Sequence, residues 1–289
     1  MDAATQTFDR LRPRMMGIAY RMLGSVAEAE EVVQDAWLRW HEATQDALQS
    51  AEAWLVSVVT RLSIDRLRAA KVRREHYVGT WLPEPLLTGP EDSPEQVLER
   101  ADNLSVAFLA LMEGLTPEAR AAFLLREVFD SDYDEVARVL GKSEAACRQL
   151  VHRARTQLKD ERPRFPVDRG THERLLRSFA QAAMKGNLKE LKALLAEEAE
   201  LHGDGGGKVP SFGRVLRGRD RLAQLYLAVA LRSGQTLRMV LVEVNGQPGL
   251  LRYIDGELES VQSFEIDGER IVRIHTQRNP DKLARIRVL

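Results

Sequence analysis

Apolar residues recur with helical spacing over most of the first 160 positions. Between residues 27 and 40 the apolar positions follow the i, i+3, i+4, i+7 rule, which predicts a helix with one buried face. Residues 8–77 contain almost no proline or glycine after Gly24, and residues 96–160 again have a helical pattern. Prolines and glycines between residues 78 and 95 exclude a continuous helix, so this stretch is predicted to be a linker.

The second helical stretch has the signals of a helix-turn-helix. Thr116 is a candidate N-cap with Pro117 at the first helical position, and that helix should run to about residue 129. A short helix is expected from Tyr133 to Leu140, ended by Gly141, and Ser143 can cap the next helix. Helix, glycine-containing turn and helix together predict a DNA-binding motif.

The last part of the chain changes from a helical to a strand pattern. Two or three helices are expected from residue 171 to about residue 232. After Gly234, three dipeptides typical of two-residue hairpin turns predict a meander of strands: Asn245-Gly246, Asp255-Gly256 and Asp267-Gly268. The predicted fold class is therefore multidomain, with two all-α parts followed by an α+β part.

Composition suggests a cellular location, and charged residues are unevenly distributed along the chain. The single cysteine, Cys147, leaves no partner for a disulfide within the chain, and no signal peptide or membrane-length apolar run is visible, so a cytoplasmic protein is expected. The formal net charge is −1. Acidic residues nevertheless concentrate in residues 28–35 and basic residues in residues 61–76, which suggests two different macromolecular partners.

These helices resemble domain 2 of extracytoplasmic-function (ECF) RNA polymerase sigma factors, in the stretches AEAEEVVQDAWLRW (27–40) and AWLVSVVTRLSIDRLRAAKVRRE (53–75). The resemblance implies that the acidic helix docks on the clamp helices of the polymerase β′ subunit through Glu28, Glu31, Asp35 and Leu38. It also implies that the loop at about residues 41–52 captures a base of the −10 element. The −10 DNA contacts would be Arg61, Arg66, Arg68, Lys71, Arg73 and Arg74. The alternative is a solvated acidic face.

The helix-turn-helix is similar to sigma domain 4, which reads the −35 element, in LTPEARAAFLLREVFDSDYDEVARVLGKSEAACRQLVHRARTQL (115–158). The resemblance also implies a contact with the polymerase β flap. The start of the second helix in such motifs reads bases in the major groove. The expected −35 residues are Ser143, Glu144, Ala145, Arg148, Gln149, His152, Arg153 and Arg155, of which Arg153 and Arg155 would contact phosphates. The alternative is a basic, solvated helix in a generic bundle.

Residues 171–289 resemble SnoaL-like domains, and WLPEP (81–85), DGGGK (204–208) and NPDKL (279–283) look like the ECF subfamily with a fused SnoaL-like extension. That subfamily has no dedicated anti-sigma protein, and its extension acts in cis. Because the linker is apolar and stiff, Trp81 and Leu82 are expected to dock on the C-terminal domain. The expected interdomain residues are Trp81, Leu82, Pro83, Glu84, Pro85, Asp204, Gly205, Gly206, Gly207, Lys208, Asn279, Pro280, Asp281, Lys282 and Leu283. For DGGGK, a plain turn and a phosphate loop stay open as alternatives.

The predicted domains are 1–77 (sigma domain 2), 78–100 (linker), 101–162 (sigma domain 4) and 171–289 (regulatory SnoaL-like domain). The predicted function is promoter recognition for core RNA polymerase, with no catalytic residues, cofactor, metal site or membrane contact, although the C-terminal pocket could bind a small molecule. One rival is a cyclase or isomerase fused to a DNA-binding module, using His202, Asp204 or His275 as acid or base. Another is a ligand-sensing repressor. Neither rival needs both an acidic and a basic helix in residues 27–75.

Overall fold

The computed structural model describes residues 3–43, 50–74, 77, 79–88, 105–159 and 167–286, with side chains omitted for residues 3 and 71–74. The chain divides into two compact units. The first, the helical unit, comprises Met1–His76 and Leu111–Glu161, and the second, the C-terminal unit, comprises Tyr77–Ala110 and Arg162–Leu289. The described part of the segment predicted as a linker therefore belongs to the C-terminal unit.

The helical unit begins with α1 (Ala3–Leu23), α2 (Val26–Glu42) and α3 (Ala51–Arg74). The predicted apolar face of α2 is confirmed, since Val32, Val33 and Ala36 are buried. Ser25, in extended conformation, caps α2 by accepting a hydrogen bond from the Glu28 amide at 3.4 Å. The three helices pack on one another, and the face of α2 opposite its buried stripe is left largely exposed.

The predicted helix-turn-helix is confirmed in the same unit, where α5 (Pro117–Glu127), α6 (Tyr133–Leu140) and α7 (Glu144–Lys159) pack together. Thr116 caps α5, with its hydroxyl 3.3 Å from the Ala119 amide. Gly141 ends α6 with φ 63°, a left-handed conformation that glycine adopts without strain. Ser143 caps α7 through the Ala146 amide at 3.2 Å. A short helix, α4 (Val106–Met112), precedes α5.

In the C-terminal unit, helices α8 (Arg169–Lys185), α9 (Leu188–Leu194) and α10 (Arg219–Ser233) accompany a six-stranded sheet. The strands are β1 (Leu195–Asp204), β2 (Leu216–Arg217), β3 (Arg238–Val244), β4 (Gln247–Ile254), β5 (Glu257–Asp267) and β6 (Arg270–Gln277), in the order β2-β1-β6-β5-β4-β3. A short helix, α11 (Pro280–Leu283), follows β6. The predicted α+β class is confirmed.

The predicted meander is also confirmed. Asn245-Gly246 joins β3 to β4 and Asp255-Gly256 joins β4 to β5, with positive φ at all four residues. That conformation is the one a type I′ hairpin turn requires. Gly268, with φ 61°, lies in the turn between β5 and β6.

The two or three helices predicted up to about residue 232 are present as α8, α9 and α10, but the strands β1 and β2 between them were not predicted. The β1 sequence LAEEAELHGD is rich in residues with high helix propensity, which favoured a helix. The structure instead pairs β1 in parallel with β6, which lies about 70 residues further along the chain. Tertiary pairing therefore overrides local propensity here, and it places Asp204 at the end of a central strand.

The sheet has two covered faces. One carries Leu201, Leu250 and Ile274, which share a core with Phe179 of α8 and Tyr226 of α10. The other carries Leu251 and Val261, which share a core with Val106, Leu283 and Ile286, while Leu87 packs at its edge. Because alternate side chains of a strand point to opposite faces, Asp204 lies on the face opposite Leu201. This second face receives the 77–88 segment.

Candidate polymerase, DNA and linker sites

The acidic face of α2 is formed by Glu28, Glu31, Asp35 and Leu38, on the side opposite the buried stripe. Leu38 is a large apolar side chain that is nevertheless 55% exposed. Glu31 is largely exposed, while Asp35 is about half exposed. An exposed leucine beside carboxylates is what a docking surface for a basic, partly apolar partner needs.

Arg66 of α3 spans two carboxylates of this acidic face. Its Nη1 donates to Glu31, and its Nη2 donates to Asp35 at 3.0 Å. Burial lowers the pKa of Arg66, but the hydrogen bonds and charges of Glu31 and Asp35 outweigh it and hold that pKa above its ordinary value. The sequence assigned these three residues to two different partners, and the structure brings them together.

Two other candidate −10 residues are also engaged within the helical unit. Arg61 donates from Nε to the Val139 carbonyl and from Nη2 to the Arg138 carbonyl, both at 2.9 Å, at the C-terminal end of α6. A cation there is favoured by the helix dipole. Arg68 pairs with Asp65 at 3.3 Å and Glu118 at 2.5 Å. The side chains of Lys71, Arg73 and Arg74 lie outside the described residues, as do residues 44–49 in the middle of the candidate base-capture loop.

The start of α7 is the most exposed part of the helix-turn-helix. Ser143, Glu144, Ala145, Arg148 and Gln149 are all exposed, whereas Cys147 is fully buried as a core residue. The Arg148 guanidinium lies 4.5 Å from the Tyr133 ring centroid and donates to Glu144 at 2.5 Å. These contacts hold the Arg148 side chain at the surface.

Further along α7, the three remaining candidate −35 residues have different surroundings. His152 and Arg153 are exposed, and Arg153 makes a long contact of 3.5 Å to Gln149. Arg155 instead donates to both Glu127 oxygens, at 3.0 and 2.6 Å, and this pairing raises the pKa of Arg155. Arg155 therefore ties α7 to α5 in this structure.

The linker site is built around Asp204, whose surface is 0% exposed. Its Oδ1 accepts from the Tyr77 hydroxyl at 2.6 Å and the Gly206 amide at 3.0 Å. Its Oδ2 accepts from the Leu82 amide at 2.9 Å, from Gln277 at 3.1 Å and from the Lys282 ammonium at 2.7 Å. A buried carboxylate needs this degree of satisfaction to remain charged.

Lys282 joins the three motifs at this point. Besides Asp204, its Nζ donates to the Leu82 carbonyl at 2.7 Å and lies 4.2 Å from the Trp81 ring centroid. A cation over an indole face gains further stabilisation. WLPEP, DGGGK and NPDKL therefore meet at one buried ion pair.

Other candidate interdomain residues surround this pair. Asn279 caps α11 and donates to the Tyr77 hydroxyl at 3.1 Å. Gly206, with φ 62°, faces Asn279 so closely that a Cβ would overlap its amide. The remaining residues fall into buried and exposed groups: Leu82, Pro83, Glu84, Pro85 and Leu283 are buried, while Lys208 and Asp281 form an exposed ion pair at 2.7 Å.

The linker segment also extends the sheet. Leu86 exchanges hydrogen bonds with Asn245, and the Thr88 amide donates to the Glu243 carbonyl at 3.1 Å. Leu87 bridges Val244 at the end of β3. Residues 86–88 are thus held by backbone pairing as well as by the contacts at Asp204.

Comparisons with known proteins identify the family of the chain. The Sigma-70 region 2 family matches residues 7–73, and the Sigma-70 region 4 family matches residues 105–158. The ECF RNA polymerase sigma factor SigJ of Mycobacterium tuberculosis is 37% identical over 96% of this chain and 92% of its own length. This chain belongs to the ECF family of RNA polymerase sigma factors.

Further comparisons extend the similarity over both units. The probable ECF sigma factor SigI of M. tuberculosis is 29% identical over 96% of this chain and 93% of its own length. The crystal structure of M. tuberculosis SigJ matches with a TM-score of 0.79 at 33% identity, covering 97% of this chain and 98% of that one. As an ECF sigma factor, the protein directs RNA polymerase to promoters.

The candidate acid–base residues of the rival enzyme hypothesis lie on the sheet, where the His202 and His275 rings are 5.3 Å apart between centroids and each histidine is bonded to a carboxylate. His202 bonds to Glu200 at 2.9 Å and His275 bonds to Glu265 at 2.8 Å, while Arg273 contacts both carboxylates. Burial lowers the pKa of His202. Asp204 is engaged by Lys282 instead. In this ECF sigma factor the two histidines belong to a hydrogen-bonded network on the sheet that also contains Glu200, Glu265 and Arg273.

Sequence reasoning missed two members of the linker site. Tyr77 and Gln277 both bond to Asp204, yet neither lies in the three motifs. Gln277 directly precedes the Arg278–NPDKL stretch and is paired with Asp204 in the β1–β6 register. A prediction of β1 as a strand would have placed Gln277 beside Asp204. For Tyr77, the sequence offers no comparable signal.

Among the helices of the described residues, none is both long and apolar enough to cross a membrane. Within the same residues, no cluster of His, Cys, Asp and Glu has the arrangement of a metal site.

Proposed function

We propose that the C-terminal unit controls the activity of this sigma factor in cis, by holding or releasing the 77–88 segment. The observation that carries the proposal is the buried Asp204–Lys282 pair, into which Tyr77, Trp81 and Leu82 are bound. Control of this kind would need no dedicated anti-sigma protein.

The position of the segment in the chain gives the contact its functional meaning. It lies between the parts that match Sigma-70 region 2 and region 4. Promoter binding requires these two parts to reach separate −10 and −35 elements. Docking of the intervening segment leaves fewer free residues to span that distance. The docked and released states therefore differ in how well the two parts can bind the promoter together.

The energetics suit a switch rather than a weak surface contact. Removing one partner of a buried ion pair typically costs about 3–5 kcal/mol, and coupling between regulatory sites is typically about 1–3 kcal/mol. The segment covers this pair through the Tyr77 hydroxyl, the Leu82 amide and carbonyl and the Trp81 ring, so its release would expose the pair to water without breaking it. Loss of either charge would therefore weaken the docked state more than the released one.

The contacts with polymerase and DNA form the second part of the proposal. We assign Glu28, Glu31, Asp35 and Leu38 to the β′ clamp helices and the helix-turn-helix to the β flap. Base readout at −35 falls to the exposed start of α7, at Arg148 and Gln149 above all. The −10 contacts fall to α3, with Arg61, Arg66 and Arg68 as the described members.

Asp204→Asn tests the cis control. Asparagine keeps the size but loses the charge, so Lys282 is left buried without its counter-ion and the segment is released more readily. We expect run-off transcription with purified core polymerase to change several-fold from a target promoter. Asp220→Asn is the matched control, because Asp220 pairs with Lys192 at 2.9 Å on the surface of the same unit.

The direction of the change identifies the role of docking. Higher transcription means that docking inhibits the factor, and lower transcription means that docking supports its active arrangement. Transcription equal to the parent by a folded Asp204→Asn protein would refute control through this contact.

A further inference from the structure

Arg66 lies between two surfaces that the proposed function assigns to different partners. Its guanidinium forms a fork on Glu31 and Asp35, which are one helical turn apart on the acidic face of α2. A fork of this kind matches two carboxylate groups well and is stronger than a neutral hydrogen bond. While Arg66 holds this position, it partly neutralises the surface proposed to bind polymerase.

The other described cations of α3 do not share this arrangement. Arg61 bonds to carbonyl groups at the end of α6, and Arg68 bonds to Asp65 and Glu118. Among the described side chains of α3, Arg66 is therefore the cation that contacts the acidic face. The two carboxylates use two of the five N–H groups of Arg66, so a DNA phosphate at the remaining groups would lie beside two other anions. Repulsion between the phosphate and the carboxylates disfavours simultaneous contact.

We propose that Arg66 is an exchange residue that couples polymerase binding to DNA binding. In the free factor it pairs with Glu31 and Asp35. When a basic surface of polymerase takes these carboxylates, Arg66 is released and becomes available to a promoter phosphate. The inference rests on the proposed function, since it requires the acidic face to bind polymerase and α3 to face DNA.

The exchange predicts opposite effects on the two partners. Removing the Arg66 charge leaves the acidic face more negative and open, so binding to core polymerase becomes tighter. The same change removes a phosphate contact, so promoter opening becomes slower. A residue that only braced α2 against α3 would weaken both steps when removed, because the acidic helix would lose its support.

The test uses the full chain with Arg66→Gln. Anisotropy of the labelled sigma factor, titrated with core polymerase, measures the affinity, and we expect it to rise about 3- to 10-fold. At saturating core polymerase, a fluorescent base in the −10 element should report opening that is several-fold slower. Lys192→Gln is the control, because it removes the same charge and one exposed ion pair from the C-terminal unit.

The outcomes separate the inference from the proposed function. Unchanged or weaker core affinity of a folded Arg66→Gln protein overturns the exchange, as does an unchanged rate of opening. Should that variant fail to fold, Arg66→Lys keeps the charge but cannot form the fork, and parent-like core affinity overturns the exchange. Glu31→Gln combined with Asp35→Asn tests the docking face itself, and full core affinity of that double variant would instead refute the proposed function.

Discussion

Replacing Lys282 with methionine tests how firmly the C-terminal unit holds the linker segment. Methionine has a similar length and no charge, so the change removes the ammonium while leaving the apolar contacts of the side chain. Asp204 loses its counter-ion, the Leu82 carbonyl loses a donor, and Trp81 loses the cation over its ring. Lys282 is a sensitive position because its side chain is only 12% exposed.

The loss of docking free energy in Lys282→Met depends on which hydrogen bonds Asp204 keeps. Breaking a buried ion pair costs about 3–5 kcal/mol. Since Tyr77, Leu82 and Gln277 still donate to Asp204, we expect the lower end of that range. About 3 kcal/mol corresponds to a roughly 100-fold larger population of the released segment, at about 1.4 kcal/mol for each factor of ten.

Hydrogen exchange of the 77–88 peptide measures this population, because the Leu82 amide donates to Asp204 only while the segment is docked. The peptide should exchange about 100-fold faster in Lys282→Met. In Lys208→Met the exposed pair with Asp281 is lost, and the rate should change less than about fivefold. Parent-like exchange in a folded Lys282→Met protein would show that the ion pair does not hold the segment.

Two further predictions concern the other parts of the molecule. In a binding-site selection, Arg148→Ala should relax the base preference at one or two −35 positions by about 1–3 kcal/mol. Arg153→Ala should instead weaken binding to all sequences alike. If both variants weaken binding uniformly, the proposed orientation of α7 is refuted. Burial lowers the pKa of His172 to about 4 in the folded protein, so as the pH falls its imidazole takes up a proton in the unfolded chain before it does so in the folded one. The C-terminal unit should therefore lose stability as the pH falls from about 6.5 to 4. The contribution of His172 to this loss should reach up to about 3 kcal/mol, and the loss should be smaller by that amount in His172→Phe, as measured by urea unfolding.

The helical unit shows which structural features local sequence patterns can predict in this protein. The stripe of α2, the Thr116 and Ser143 caps and the Gly141 ending were all predicted from the sequence and are confirmed. Each depends on residues within a few positions of one another. Short-range hydrogen bonds and helical periodicity are sufficient to place such features, and the resemblance to sigma domains followed from the same stretches.

The linker site was only partly accessible from the sequence. The three motifs were expected to lie near one another, and the structure brings them together. The sequence did not indicate that Asp204 is fully buried or that Tyr77 and Gln277 complete its shell. Those contacts depend on β1 being a strand, and its helix-forming composition pointed the other way.

Arg66 illustrates the same limit on the acidic face. From the sequence, Glu31 and Asp35 belonged to one partner and Arg66 to another, because the charges lie in separate helices. The packing of α2 against α3 brings them within hydrogen-bond distance across about 30 residues of chain. Local propensity determined the helices and their caps, but the pairing of charges was decided by tertiary packing, because burial of the apolar faces sets which polar side chains meet.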